Sequence, residues 1–367
     1  MADFFFETDI PASLKPLIET IKVFLDQQVN VSRPVVLVSS GGSTVPLEKN
    51  TVRFIDNFST GVRGAISTEY FLELGYAVIY LHRTGVAMPF SRVLQQEVSC
   101  HMDHALMECL ELTDGDNITL CPRAIDGMYA KREKIRRALE GFERAKKDNA
   151  LLTVPFLTVE DYLWLLKEIS CEMNRLGKYA MLYLAAAISD FYIPTDKMTQ
   201  HKIQSAEGPL QLELDQVPKC LGMCTQHWAP NAFCVSFKLE TDLDILTKKA
   251  LGAIEKYKVN LVVANELHSR KSKVILITKD DQQVVEIGLA EVIEEKLVEE
   301  VASKHYTYIG EAAEVFRPPE QPVSRQHPAM KALKRYRWLV PFVGYPALIG
   351  LSVWIQSRIN ARLNKRL

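Results

Sequence analysis

Neither sign of charge dominates these 367 residues, cysteines are few and unframed, and the commonest phosphate-binding signatures are missing. The formal net charge is -1, from 44 Lys+Arg against 45 Asp+Glu, so the total carries no electrostatic footprint of a nucleic-acid partner. Seven cysteines, an odd number without regular spacing, do not make a disulfide framework. Cys220 and Cys224 stand four apart, but no second Cys/His pair nearby completes a zinc site, and no metal ligands are assigned. The cysteines read as reduced thiols of a cytosolic protein. The acidic start Met1-Ala2-Asp3-Phe4 lacks the basic and apolar regions of a secretory signal. There is no G-x-x-x-x-G-K-[ST], which excludes a P-loop enzyme, and no G-x-S-x-G elbow of an α/β hydrolase. The first strand is not followed by G-x-G-x-x-G, and the second ends in His82-Arg83, where a NAD binder would carry an acid.

What is present suits a globular α/β protein: 47% apolar and 24% charged residues, in a chain long enough for one large or two smaller domains. The charge is unevenly spread. Residues 330–367 hold eight Lys/Arg and no Asp/Glu, which leaves a net of -9 on the remainder. Along the chain, Ser13 to Gln28 has helical periodicity. Val35 to Val38 is a continuous apolar run, as for a strand buried on both faces of a parallel sheet. A long loop, Ser43 to Ser59, precedes a helix from Gly61 to Leu74-Gly75 and a strand from Tyr76 to His82. This β–loop–α–β order predicts a doubly wound, mostly parallel, Rossmann-like sheet. Residues 85–150 look like an excursion, with a charged helix from Lys131 to Asn149. The alternation resumes with strands at Leu151 to Phe156 and Tyr179 to Leu184, and a helix from Thr158 to Leu176 that starts with a capping box. It continues with a strand at Ala232 to Phe237, a helix from Asp242 to Tyr257 and a strand at Asn260 to Ala264. Pro194 to Pro209 reads as a flap, and Leu210 to Leu214 as an exposed antiparallel strand. Lys273 to Thr278 and Gln283 to Ile287 form an antiparallel hairpin, and Ile293 to Ser303 a last helix.

Ligands of a doubly wound sheet bind at the carboxyl ends of its strands. Here those ends carry Ser39-Ser40-Gly41-Gly42-Ser43, Ala185-Ala186-Ala187-Ile188-Ser189-Asp190, Phe237-Lys238-Leu239-Glu240 and Ala264-Asn265. Ser59-Thr60-Gly61-Val62-Arg63-Gly64 places hydroxyls and glycines at a helix N-terminus, an anion site suited to phosphate. The same residues also read as an ordinary Ser/Thr-capped helix start. Taken singly, Asn57 can cap a turn, Lys202 can be a solvated lysine, Phe237 can belong to the core and Asp190 can cap a helix.

Six ordered blocks carry a resemblance. They are Val35 to Glu48, Val52 to Gly64 (with Arg53-Phe54-Ile55-Asp56-Asn57-Phe58-Ser59-Thr60-Gly61), Tyr183 to Tyr192, His201-Lys202-Ile203-Gln204-Ser205, Ser236 to Asp242, and Val262-Val263-Ala264-Asn265. Residues 1–312 resemble the eukaryotic form of phosphopantothenoylcysteine synthetase, an enzyme of coenzyme A biosynthesis. Ser43 and Thr60 stand where that family often has Thr and Ser, so both keep a hydroxyl. The resemblance implies a ligase that forms a C–N bond in two steps. The carboxylate of 4′-phosphopantothenate attacks the α-phosphate of ATP, with CTP the bacterial counterpart, and the amine of cysteine then displaces the nucleotide. It implies Asn57 and Lys202 as catalytic residues and Gly41, Ser59, Gly61, Gly64, Phe237 and Asn265 as the nucleotide site. It further implies Asn57, Ala186, Ala187 and Asp190 on the pantothenate arm, Arg53 reaching the substrate phosphate across a homodimer, and Mg2+ on the triphosphate. Two other readings of the fold class were weighed: a NAD(P)-dependent oxidoreductase, which the missing fingerprint opposes, and a non-catalytic membrane-tethered binding protein.

The tail departs from that family. Residues 313–330 form a Pro-rich linker, and 331–367 a basic-flanked hydrophobic segment. Trp338 to Ile355 is an uncharged run long enough, at about 27 Å as a helix, to approach the hydrocarbon thickness of a bilayer. Trp338 and Trp354 stand near its ends. The expectation is a C-terminal hydrophobic helix anchoring a cytosol-facing enzyme to the mitochondrial outer membrane or the endoplasmic reticulum. The alternative is an amphipathic or buried terminal helix, since Pro341 and Pro346 weaken a span.

Overall fold

The computed structural model describes residues 10–98, 110–113, 117–120, 129–204, 208–241, 243–288, 290 and 292–310. All belong to one compact unit, Met1–Phe316; the other unit, Arg317–Leu367, and with it the expected linker and hydrophobic helix, lies outside them.

The elements in chain order are α1 (Lys15–Asn30), β1 (Val35–Ser40), β2 (Thr44–Pro46), β3 (Phe54–Asp56), α2 (Val62–Glu73) and β4 (Ala77–Arg83). Then come α3 (Ser91–Val98), β5 (Leu110–Thr113), β6 (Asn117–Leu120), α4 (Tyr129–Lys147), β7 (Leu151–Phe156), α5 (Val159–Met173), β8 (Ala180–Leu184), β9 (Phe191–Tyr192) and β10 (Asp215–Gln216). The last are β11 (Phe233–Glu240), α6 (Leu243–Tyr257), β12 (Leu261–Glu266), β13 (Lys273–Ile277), β14 (Gln282–Glu286) and α7 (Ile293–Ile309).

Eight strands form one sheet in the order β14-β13-β12-β11-β8-β1-β4-β7. The six from β7 to β12 are parallel, and β13 and β14 close the sheet antiparallel. From β1 the chain winds outward through β4 to β7, then returns to β8 on the other side of β1. That reversal makes the gap between the carboxyl ends of β1 and β8 the topological switch point, the ligand crevice of such sheets.

Residue type follows strand position. Every residue of central β1 is buried, as its uninterrupted apolar run predicts. Pro155 sits in β7, at the sheet edge, where its missing N–H costs no ladder bond. One sheet face packs against α1, α5 and α6, through Leu25, Ile169 and Leu246. The other packs against α2 and α7, through Phe71, Leu297 and Val301. The predicted capping box is present: the Asp161 N–H donates to Thr158 Oγ1, and the Thr158 N–H to Asp161 Oδ2.

Three expectations change. Leu210 to Leu214 is not a strand; the small antiparallel pair is β9 with β10, and Leu210 and Leu212 are exposed. A lone alternating run has no partner unless a neighbour's register supplies one. The loop from Ser43 to Ser59 contains the β2–β3 hairpin, whose strands of three residues are too short for a periodicity signal. The last helix runs to Ile309, six residues past Ser303, because Val301, Ala302 and His305 keep it packed against the sheet.

Candidate active site

The crevice is built from glycine. After β1 the chain runs beside the segment following β8: Ala187 N–H donates to Gly41 O (2.8 Å), and Ser43 N–H to Ala187 O (3.2 Å). Ser39 Oγ accepts from Ala186 N–H at 3.2 Å, and Ser43 Oγ from Ser189 N–H at 3.0 Å. The serines that end β1 thus hold the backbone of Ala186 and Ser189 in place. Gly42 lies beneath the Asn57 carbonyl, whose oxygen is 1.5 Å from where a Cβ would stand. Asn57 N–H donates to Ser43 O at 3.1 Å, so the loop after β3 lies directly on the glycine pair.

The turn into α2 follows. Gly61, at φ 72°, is the N-cap of α2 and has no side-chain cap bond. A left-handed N-cap without a capping side chain leaves the first N–H groups of α2, from Val62 to Gly64, open to a ligand. Ser40 Oγ donates to Gly61 O at 3.0 Å and lies beside the Tyr80 hydroxyl, also at 3.0 Å. Gly64 is buried against the same serine, with Ser40 Oγ 2.4 Å from the place of a Cβ. Its side of the helix is therefore occupied by β1, and its lack of a side chain serves packing; only its backbone N–H is left for a phosphate. Ser59 Oγ accepts weakly from Gly61 N–H, at 3.4 Å.

The other expected residues divide into three groups. Asn57 and Lys202 have side chains without a hydrogen bond among the described residues; Lys202 is exposed. Phe237 and Asn265 line the adjoining strand ends. Phe237 meets Tyr183 edge-on at 4.9 Å, which makes it both core and rim. Asn265 is 5% exposed, donates from Nδ2 to Val263 O at 3.1 Å, and has a buried Oδ1 without a partner. A buried orphan acceptor at a strand end is costly unless a ligand donor completes it.

Arg53 and Asp190 are tied up within the subunit. Arg53 Nη1 pairs with Glu48 and donates to Ile203 O, both at 3.0 Å. The Asp190 carboxylate pairs with Lys219. Ala187 is exposed at the mouth and Ala186 half-buried.

Several contributors were not singled out as site residues. Arg83 ends β4 and forms a two-bond pair with Asp56, at 2.8 and 3.0 Å, which clamps the loop carrying Asn57 across the sheet. The signal was present: a cation stands where dinucleotide binders carry an acid. Gly42 was legible only as one of a glycine pair. Lys219 gave no signal, and Glu48 appeared only as the end of a resembling block with no role attached. Burial alone would push the Glu48 carboxyl pKa up, but hydrogen bonds from Arg53 and from the Ile203 backbone outweigh it and hold the pKa below the usual range. Glu266 is drawn down to about 2 by the Ser269 hydroxyl and the backbone of His268 and Ser269. These carboxylates are ionised acceptors at neutral pH, not proton donors.

Among the described residues no group of three or more His, Cys, Asp or Glu side chains could hold a metal ion. The arrangement offers oriented N–H donors, an amide and a cation to a polyanion, the requirements of phosphoanhydride chemistry.

Residues 158–305 match the family described as DNA/pantothenate metabolism flavoprotein C-terminal domain. The chain is 44% identical over 276 residues to phosphopantothenate–cysteine ligase 2 of Oryza sativa subsp. japonica, covering 75% of this chain and 81% of the relative. It is 42% identical over 288 residues to phosphopantothenate–cysteine ligase of Homo sapiens, covering 76% and 88%. A solved Cab2 mutant in complex with phosphopantothenate-cysteine superimposes with a TM-score of 0.74 at 36% identity, covering 84% of this chain and 98% of that one.

Proposed function

The chain belongs to the phosphopantothenate–cysteine ligase family, and from that premise we propose that it couples 4′-phosphopantothenate to cysteine in coenzyme A biosynthesis. The observation that carries the reading is the open, glycine-capped N-terminus of α2 at the β1–β8 switch point, with the free Asn57 amide beside it.

The reaction brings a carboxylate against a triphosphate, so charge repulsion is the barrier the protein must lower. In the first step the carboxylate oxygen bonds to the α-phosphorus and the α–β anhydride bond breaks, releasing pyrophosphate. The N–H groups of Val62 to Gly64 receive phosphate oxygens, with Ser59, Gly61 and Gly41 leaving the backbone accessible. Asn57 donates to the acyl phosphate, and Lys202 brings positive charge to the α-phosphate of the nucleotidyl group being transferred. In the second step the cysteine amine bonds to the acyl carbon, the acyl–phosphate bond breaks and the nucleotide monophosphate leaves. Ala186, Ala187 and Asp190 line the pantothenate arm, Phe237 flanks the base, and Asn265 Oδ1 accepts from the nucleotide. ATP is the proposed nucleotide, and magnesium, held on its phosphates, would neutralise part of their charge.

The hairpin bearing Arg53 and the loop after β3 also expose Phe54 and Phe58, the latter 83% accessible. That apolar surface supports a homodimer in which Arg53 reaches the neighbour's substrate phosphate. In the tail, 338–355 is proposed to hold a cytosol-facing enzyme on an intracellular membrane; carbonate extraction tests it, and release into the supernatant would rule out a spanning anchor.

The deciding assay is pyrophosphate release from ATP or CTP with 4′-phosphopantothenate, with and without cysteine. Release that needs the pantothenate acid, and amide formation that needs cysteine as well, support the reading. A protein that turns over neither nucleotide with this acid refutes it.

A further inference from the structure

The side chain of Glu48 is wholly shut from solvent, at 0% exposure. It follows β2 and accepts three hydrogen bonds from two places far apart in sequence. From its own hairpin come the Arg53 N–H (2.9 Å) and Arg53 Nη1 (3.0 Å). From the flap comes the Ile203 N–H (3.4 Å). Arg53 Nη1 also donates to Ile203 O at 3.0 Å, so carboxylate and guanidinium together grip both polar groups of one peptide residue. Next to them, Lys49 N–H donates to Thr199 O at 3.0 Å, and Glu48 forms a parallel bridge with Thr199. The flap is thereby fastened at Thr199 and Ile203, on either side of Lys202, whose own side chain projects unpaired.

We propose that Glu48 is a positioning residue for Lys202: its buried carboxylate, acting with Arg53, fixes the flap backbone at Ile203 and so sets where the lysine stands over the reacting phosphates. The inference rests on the ligase reading above and adds a residue to it. A buried charge needs its acceptor positions satisfied, and two of the three bonds to Glu48 come from its own hairpin. The carboxylate spends its remaining acceptor capacity on the flap, 155 residues away. The pairing also makes one guanidinium serve two tasks. Nη1 of Arg53 holds the flap, and the rest of the group is left for an anion.

The test uses the full chain and the variants Glu48→Gln, Glu48→Asp, Lys202→Ala and the double variant Glu48→Gln/Lys202→Ala. Pyrophosphate release gives kcat and KM, and hydrogen exchange reads the peptide spanning Thr199 to Gln204. Glu48→Gln should lower kcat at least tenfold with little change in the KM for the pantothenate acid, and should speed exchange in that peptide. Glu48→Asp, charged but too short to reach Ile203, should behave the same way and covers the case of a Gln variant that fails to fold. In the Lys202→Ala background Glu48→Gln should cost nothing more, because residues acting as one unit lose activity only once. Equal multiplicative losses in both backgrounds, or unchanged kcat with faster exchange, would overturn the proposal and leave Glu48 a purely structural acid. Absence of activity in the unmutated chain is the separate failure of the ligase reading.

Discussion

Gly42→Ala is the sharpest probe of this site. Its new Cβ would stand 1.5 Å from the Asn57 carbonyl oxygen and 2.7 Å from its carbon. Real contacts of this kind do not fall below about 3 Å, so the loop after β3 must move by about 1.5 Å; backbone cannot yield as the tip of a flexible side chain can. Two consequences can be sized separately. Overpacking of this kind costs about 1–3 kcal/mol of stability, which most domains survive. The displaced loop carries Asn57, and a shift of about 1 Å in a reacting constellation costs about 100-fold in rate. That is about 2.7 kcal/mol of transition-state stabilisation. Folded Gly42→Ala protein should therefore show kcat/KM lowered by about 100-fold in pyrophosphate release. Calorimetry should register a smaller, separable loss of stability. Gly252→Ala is the matched control: this exposed glycine within α6 has no atom within 4 Å of a new Cβ. It should gain about 0.5–1 kcal/mol through helix propensity, with unchanged kinetics. A Gly42→Ala enzyme with normal kcat/KM would mean that Asn57 is not held over the glycine pair during turnover.

Other outcomes follow from the same geometry. Lys202→Ala and Asn57→Ala should each cut amide formation by about 100-fold or more while the melting temperature stays near that of the parent chain, since Lys202 is exposed, Asn57 is only half-buried, and neither side chain has a hydrogen bond among the described residues; normal rates in both would remove their assigned roles. Arg83→Met, which frees Asp56 and unclamps the Asn57 loop, should reduce kcat more than it reduces stability. Stability itself should fall with acid through His305. Burial takes its imidazole pKa down to about 4, and the ring is held between the Tyr76 hydroxyl and Lys178 O. The unfolded chain then binds the proton first, near the ordinary value of about 6.5. The stabilisation is complete above about pH 6.5 and is lost as the pH falls towards 4, by at most about 3 kcal/mol. Thermal melts of the parent and His305→Asn between pH 4.5 and 7.5 should differ in slope; parallel curves would show that another group governs the acid limb.

Much of the architecture was legible because it rests on local chemistry. The unalternating Val35 to Val38 run announced a strand covered on both faces. The Thr158 and Asp161 pair announced its capping box, and Asp280-Asp281 between two β-prone runs marked the closing hairpin. Asn57, Gly61, Phe237 and Asn265 were named through the family resemblance, and the fold brings Gly61 and Asn57 to the switch point. The misreadings have two causes. Leu210 to Leu214 had the alternation of a strand but no neighbour to pair with, and β2 and β3 were too short to carry a period.

The amino-acid order alone determined most of the alternation of strands and helices, because hydrophobic period and strand–turn–helix punctuation act over a few residues. The folded chain alone decided that Gly64 is small for packing on Ser40, that Arg53 grips Ile203 from 150 residues away, and that Glu48 is sealed from water. Contacts between distant segments leave no local pattern; they exist only once the sheet has placed those segments side by side.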